Sequence, residues 1–289
     1  MEISKKDWSG YLFVAPAVLL FLVFAIKPMI EAIILSFYQV TLREQTFIGL
    51  ENYVTLFQDK IFWKEIKNTL TFVGIIVPAN FGLALFIALV LNRFGHRFRS
   101  ILRGCFYLPA VSSGVVMSIV FLWIFNQTYG PVNYLLSLVG IEPILWLSQP
   151  VWAKLAISAV VLNWIIGLNV ILFLSALAGI PKQIHESAKI DGAGSLQRFF
   201  KITIPLIAPT SVYVLVMTTI GIFQIWAAIY LLTCGGPAYA TTSIVYRIYR
   251  VGFVYGKFGL ASARAVVLFL MIFSTAFLQF RYLNKRIEY

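Results

Sequence analysis

The stretch Pro181–Pro205, PKQIHESAKIDGAGSLQRFFKITIP, is a polar island between two long apolar runs, and its reading decides what kind of chain this is. Pro181 ends the helix that precedes it, and Lys182 to Ile190 is long enough for about two helical turns before Asp191-Gly192, a pair suited to a turn. Ser195 to Thr203 fits a second short helix ahead of Pro205. Ser187, Ala188, Gly192, Ala193 and Gly194 carry short side chains, so an outside surface can come close to the backbone. Glu186, Lys189 and Arg198 add charge that can orient it. The segment reads as a docking knob. A helix lying on the membrane surface is the competing reading, and the stretch lacks the aromatic face that would enter lipid.

The apolar runs on either side set the class. The 289 residues are 60% apolar and 12% charged, far from the balance of an ordinary soluble domain, so the chain is expected to be an all-α polytopic membrane protein. A net charge of +12 suggests nucleic acid at first sight, but Lys and Arg are scattered between apolar runs and form no stripe, which excludes that partner. Membrane orientation accounts for the charge instead.

Six crossings are expected, at about 11–37, 70–91, 105–125, 155–178, 207–232 and 265–280. The first follows Lys5 and Lys6 and has the look of a signal peptide without a cleavage site after it. Lys27-Pro28 interrupts it, so one kinked helix is the economical reading, with Lys27 and Glu31 paired near an interface. Residues 38–66, with Arg43, Glu44, Glu51, Asp59 and Lys60, are too charged for lipid and read as an external cap. The second run, Leu70 to Leu91, is long enough for a hydrocarbon core of roughly 30 Å. Arg93, Arg97, Arg99 and Arg103 then form a short loop without an acid, the mark of the cytoplasmic side. Lys5 and Lys6, this loop, Lys182, Lys189, Arg198 and Lys201 of the knob, and Arg281, Lys285 and Arg286 all fall together there, with both termini inside. Asn126 to Lys154 and Thr233 to Lys257 lie outside as re-entrant or surface helices, their Trp and Tyr reading as membrane-belt anchors. Asn126-Gln127-Thr128 matches a glycosylation acceptor only by its three letters. Cys105 and Cys234 fall on opposite sides, which excludes a disulfide between them. With no internal repeat, low-complexity tract or second soluble domain, residues 1–289 read as one transmembrane domain.

Glu186-Ser187-Ala188, Gly192, Ile202 and Ile204-Pro205 resemble the EAA signature of permease subunits of ABC importers, with Ser187 in place of the first alanine and Ile204 in place of leucine. LPAVSSGVVMSIVFLWIF, GPVNYLL, the helix with Trp164 and Gly167, GGPAYATTSIVYRIYRVGF and GLASARAVVLFL are similar to the carbohydrate-uptake branch, so the resemblance covers about residues 11–285. It implies the type I, MetI-like architecture and a binding-protein-dependent sugar permease. It makes 181–205 the cytoplasmic coupling segment that fits a groove on the ATPase through Glu186, Ser187, Ala188, Asp191, Gly192, Ala193 and Arg198. The implied partners are a second permease forming a heterodimer, an ATPase dimer and an external solute-binding protein.

The chemistry present agrees. The chain has no G-x-x-x-x-G-K-[ST] loop to cradle nucleotide phosphates, so ATP hydrolysis belongs to a separate subunit and no cofactor or metal is expected. An ion-coupled secondary carrier needs a titratable group at mid-membrane depth, and Glu31, near one end, is the single acid inside a run. An intramembrane enzyme is equally poorly served, because His96 and His185 sit in loops and no nucleophile, base and orienting group converge. The polar groups inside runs are substrate candidates: Asn163 with Gly167 on one helical face, and Gln224 between Phe223 and Trp226. Amides beside aromatic rings suit a sugar, with hydroxyls on its edge and C–H groups on its face. Hydrogen bonding between helices is the competing role for both amides. A glycerol phosphate, the rival substrate within the class, demands cations that these residues do not supply.

Overall fold

Pro28 has no N–H to give the carbonyl of Phe24, and the first apolar helix adjusts around that gap. In a computed structural model of the protein, which describes residues 5–40 and 44–284, α1 (Lys5–Phe21) passes through a π-helical turn, Leu22–Ile26, into α2 (Lys27–Leu35). The Lys27 N–H reaches back to Leu22 O, and the extra residue in that turn absorbs the missing bond. Lys27 Nζ and Glu31 Oε1 stand 3.7 Å apart on an exposed face. Arg43, Lys285 and Arg286 lie outside the described residues, as do the side chains of Lys5, Lys6 and His96.

The cap region is more ordered than a polar connection. A small antiparallel hairpin, β1 (Tyr38–Val40) with β2 (Gln45–Phe47), pairs Tyr38 with Phe47 and adds two strands to a chain expected to be wholly helical. After α3 (Glu51–Gln58), α4 (Lys60–Asn92) begins well before the apolar run at Leu70, because Lys64, Glu65 and Lys67 are good helix formers even where they are poor lipid solutes.

The third run is broken, not straight. α5 (His96–Val111) and α6 (Gly114–Ile124) meet at Ser112-Ser113 with a bend of 96°, and Ser113 Oγ caps the new helix by accepting from the Val115 N–H at 3.2 Å. α7 (Pro131–Leu138) follows, then the uninterrupted α8 (Pro150–Ala178). The polar island contains α9 (Lys182–Ile190), α10 (Ser195–Arg198), a π-helical turn at Phe199–Thr203 and α11 (Ile204–Leu206). A 67° bend leads into α12 (Ala208–Phe223), since Pro209 has no N–H for the Pro205 carbonyl. The fifth run breaks again at Gln224-Ile225-Trp226 before α13 (Ala227–Leu232). Ser243 Oγ donates to the Ile225 carbonyl at 3.0 Å, so the unwound backbone finds a partner far along the chain. α14 (Ile244–Tyr249), a π-helical turn at Arg250–Val254 and α15 (Phe258–Asn284) complete the described chain.

Among the described residues, four helices are long and apolar enough to cross a membrane: Tyr11–Leu35, Lys60–Asn92, Pro150–Ala178 and Phe258–Leu283. The count rises to six if each bent pair is one span.

Two compact units are present. The first gathers the described residues within 1–60 and 247–269. In it Asn52 Nδ2 donates to both Ser36 O and Tyr38 O at 2.9 Å, fixing α3 against the end of α2 and the hairpin. Arg250 Nη2 donates to Tyr255 Oη at 2.9 Å, and that bond holds the phenol's pKa below its ordinary value. Arg264 is 1% exposed and pairs with Asp59 at 3.1 Å. Asp59→Asn, which takes the charge from a partner of this shielded guanidinium, is expected to lower stability by about 2 kcal/mol, read as a fall in the thermal midpoint of the purified assembly. An unchanged midpoint would show that the pair is idle.

The second unit comprises the described residues within 61–246 and 270–289. One core cluster centres on Phe72, Ile76, Ile157 and Ile229, and another on Ala84, Ala88, Val170, Phe173 and Ile207. Asn68 Nδ2 donates to Tyr239 O at 2.8 Å and Thr242 O at 3.1 Å, which ties the Gly-Gly-Pro loop to α4. Cys105 and Cys234 are free thiols.

Candidate functional site

Breaking the third and fifth runs opens space between helices that straight helices would fill. A cavity of about 620 Å³ lies among α6, α8, α12 and α13, with Ala110 of α5 at its edge. Its polar and aromatic lining includes Ser118, Trp164, Asn169, Thr218, Gln224 and Trp226. Among the described residues that line it, none is charged.

Trp164 holds the α5–α6 break. Its indole N–H donates to Ser112 O at 3.0 Å, and its ring faces Gly114, where an added Cβ would meet it at 3.4 Å. Trp226 stacks on Tyr230 with ring centroids 5.1 Å apart and planes 9° apart, so one large aromatic surface borders the fifth-run break. The lining continues into an amide and hydroxyl network. Thr218 Oγ1 accepts from Asn169 Nδ2 at 3.4 Å and from Asn80 Nδ2 at 3.5 Å. Gln279 Nε2 donates to Thr219 Oγ1 at 2.9 Å. Asn80 Oδ1 and Gln279 Oε1 are buried without a hydrogen-bond partner, leaving acceptor capacity inside the helix cluster.

The sequence-derived candidates divide here. Gln224 and Trp226 line the cavity; Asn163, Gly167 and Phe223 do not. Phe223 is fully buried in the core. Asn163 and Gly167 do share a face of α8, yet Gly167 is the point where α5 approaches, an added Cβ there lying 2.0 Å from Phe106 O, and Asn163 is exposed outside the cavity. The cavity face of α8 instead runs through Val161, Trp164, Leu168 and Leu172, with Asn169 beside it. Asn169 and Thr218 were missed, although an amide in an apolar run five residues after Trp164 is the kind of signal that finds them.

At the polar island, α9 closes on Gly192, whose φ is +80°. The Ala193 N–H bonds Ala188 O at 2.9 Å and the Gly192 N–H bonds Lys189 O at 3.1 Å, the paired bonds that end a helix on a left-handed residue. Glu186, Ser187, Asp191 and Gly192 are exposed, whereas Ala188, Ala193 and Arg198 are half-buried. Ile190 is 85% exposed and Leu196 73%, so apolar tips flank the turn that the sequence reading treated as polar.

The model of the family described as binding-protein-dependent transport system inner membrane component matches residues 80–289. The chain belongs to this family. The permease is 38% identical to the lactose transport system permease protein LacF of Rhizobium radiobacter over 286 residues, 97% of this chain and 95% of that one. It is 33% identical to the sn-glycerol-3-phosphate transport system permease protein UgpA of Agrobacterium fabrum, over 96% of each chain. Among solved structures, it matches a chain of the bacterial alginate ABC transporter in complex with alginate pentasaccharide-bound periplasmic protein at a TM-score of 0.87 and 28% identity. That match covers 98% of the permease and 96% of the solved chain. The permease therefore has a helical, MetI-like fold, and its family consists of inner-membrane components.

Proposed function

We propose that this permease is one membrane-spanning half of an ATP-driven sugar importer, crossing the membrane six times with both termini in the cytoplasm. The cavity forms part of the translocation path, and the 181–205 segment docks into a separate ATPase through Glu186, Ser187, Ala188, Asp191, Gly192, Ala193 and Arg198. A second permease completes the membrane portion, an ATPase dimer supplies the hydrolysis, and an external solute-binding protein delivers the substrate.

The carrying observation is the cavity: amides and two indole rings without a charged lining group suit a neutral saccharide, whose hydroxyls take hydrogen bonds and whose C–H faces lie on aromatic rings. The relatedness to UgpA brings a glycerol phosphate into consideration. The lack of a lysine or arginine among the described lining residues argues against a phosphorylated substrate, since a desolvated phosphate needs charge-assisted donors. The same lining has no carboxylate for proton or sodium coupling.

Asn169→Ala and Gln224→Ala are each expected to lower uptake about tenfold through the loss of one substrate hydrogen bond. Asn163→Ala, on the same helix but outside the cavity, serves as the control. Uptake of the supporting sugar is measured at matched permease levels, with co-purified ATPase showing that assembly is intact. Full transport by both cavity variants would place the path elsewhere.

A further inference from the structure

The basic loop after α4 is partly built into the fold. Arg99 is built into the fold, with Nη2 donating to Asn92 O at 2.7 Å and Phe94 O at 2.9 Å, so it closes the open end of α4. The Nε atoms of Arg99 and Arg103, one turn apart on α5, are shielded from solvent, which places both side chains on the face of the helix turned toward the protein. Leu102, between them, packs on the second core cluster, which keeps this stretch of helix in place. Arg93 and Arg97 are exposed next to them.

The apolar surroundings are arranged just as regularly. Phe98, Ile101, Cys105 and Leu108 follow one another at three- and four-residue steps, the spacing of a single helical face, and all are exposed. Ile101 is 64% exposed and Leu108 67%, so the stripe runs from the arginine cluster along the bent pair of helices that forms the third candidate span. A soluble partner would meet the arginines but not a stripe that continues into the span. One class of molecule has an anion at one end and a hydrocarbon chain at the other.

We propose that the exposed guanidinium groups of Arg93 and Arg97, at the start of α5, bind the phosphate of one anionic phospholipid whose acyl chain lies along the Phe98–Leu108 stripe, while Arg99 and Arg103 on the opposite face of the helix hold the loop in place. The four positive charges between Asn92 and Arg103, without an acid among them, complement that headgroup. Placing the lipid in the cytoplasmic leaflet rests on the topology proposed above. The binding chemistry does not, because it depends only on the loop and its stripe.

The assembled importer is purified, exchanged into nanodiscs of phosphatidylcholine alone or doped with phosphatidylglycerol, and examined by native mass spectrometry for retained lipid and by thermal unfolding. Phosphatidylglycerol is expected to be retained and to raise the unfolding midpoint. Arg93→Gln with Arg97→Gln is expected to weaken retention about thirtyfold, from the loss of two charges at the headgroup, and to remove the thermal gain. Arg281→Gln, which removes an exposed charge elsewhere, is expected to keep both. Equal retention by the double variant overturns the proposal, as does loss of co-purified ATPase in that variant with no response of the parent to phosphatidylglycerol, which would make the loop a protein contact. Labelling of a Ser100→Cys variant in which Cys105 and Cys234 are replaced by serine, from each side of the membrane, reports the topology separately, so an inverted chain that still retains the lipid refutes the orientation and not the site.

Discussion

Gly192→Asp is expected to leave the permease in the membrane at near-normal amount while cutting sugar accumulation by more than tenfold and releasing the ATPase. The two halves of this expectation come from two features of the same residue. Gly192 has a φ of +80°, where a side chain costs about 1–2 kcal/mol, and Asp is among the residues that tolerate that conformation best. Within the chain an added Cβ there meets nothing within 4 Å. The fold therefore loses little, and a large functional defect must come from a surface outside the chain that needs the space and the neutrality of that position. Gly192→Asn separates the causes, since it carries the same backbone strain without the added charge: an Asn variant close to wild type beside a defective Asp variant points to charge, and two equally defective variants point to shape. Accumulation and co-purified ATPase are read in cells matched for permease by immunoblot. Normal accumulation in Gly192→Asp would reduce the 181–205 segment to a surface loop.

That segment was the most legible part of the chain, and the reason is local. Pro181, Asp191-Gly192 and Pro205 each restrict their own backbone, so the bounds of α9, Lys182–Ile190, follow from residues inside or beside it. The apolar runs were legible as lengths but not as shapes. Pro28 marked the kink in the first helix because proline acts on its own turn, yet the breaks at Ser112-Ser113 and at Gln224-Ile225-Trp226 depend on partners far along the chain. Trp164 holds the first by bonding Ser112 O, and Ser243 holds the second by bonding Ile225 O. Since those breaks create the cavity, its lining was only half readable. Gln224 and Trp226 were found because they sit in the break itself. On the continuous helix α8, Asn163 was preferred to Asn169 because both are amides in an apolar run, and the rotation of the helix about its axis is fixed by Gly167 against α5.

Gly167 is accordingly the residue whose replacement is expected to damage the fold most. A Cβ built on it would lie 2.0 Å from Phe106 O, 2.8 Å from Phe106 C and 3.1 Å from Tyr107 Cα, all backbone atoms that no side-chain rotation can move. Accommodating even one methyl means separating α5 from α8, and small residues at such contacts are what lets helices approach in a medium that supplies no hydrophobic drive of its own. Overpacking a tight core costs typically 1–3 kcal/mol, and a clash with backbone belongs at or above the upper end, about 3 kcal/mol, a large share of a stability of roughly 5–15 kcal/mol. Gly167→Ala is therefore expected to lower the amount of folded permease several-fold in size-exclusion chromatography of a fluorescent fusion, and Gly167→Val to abolish it. Gly74→Ala is the matched control: that glycine also lies inside a long helix, its Cβ meets nothing within 4 Å, and alanine there is expected to be neutral or stabilising by about 0.5–1 kcal/mol. What survives of Gly167→Ala should also transport poorly, because Ala110 on α5 and Leu168 on α8 both line the cavity and any separation of the two helices moves one wall against the other. A Gly167→Ala permease as abundant and as active as Gly74→Ala would mean that α5 and α8 do not touch at this point, and the placement of Trp164 and Asn169 toward the cavity would lose the contact that fixes it.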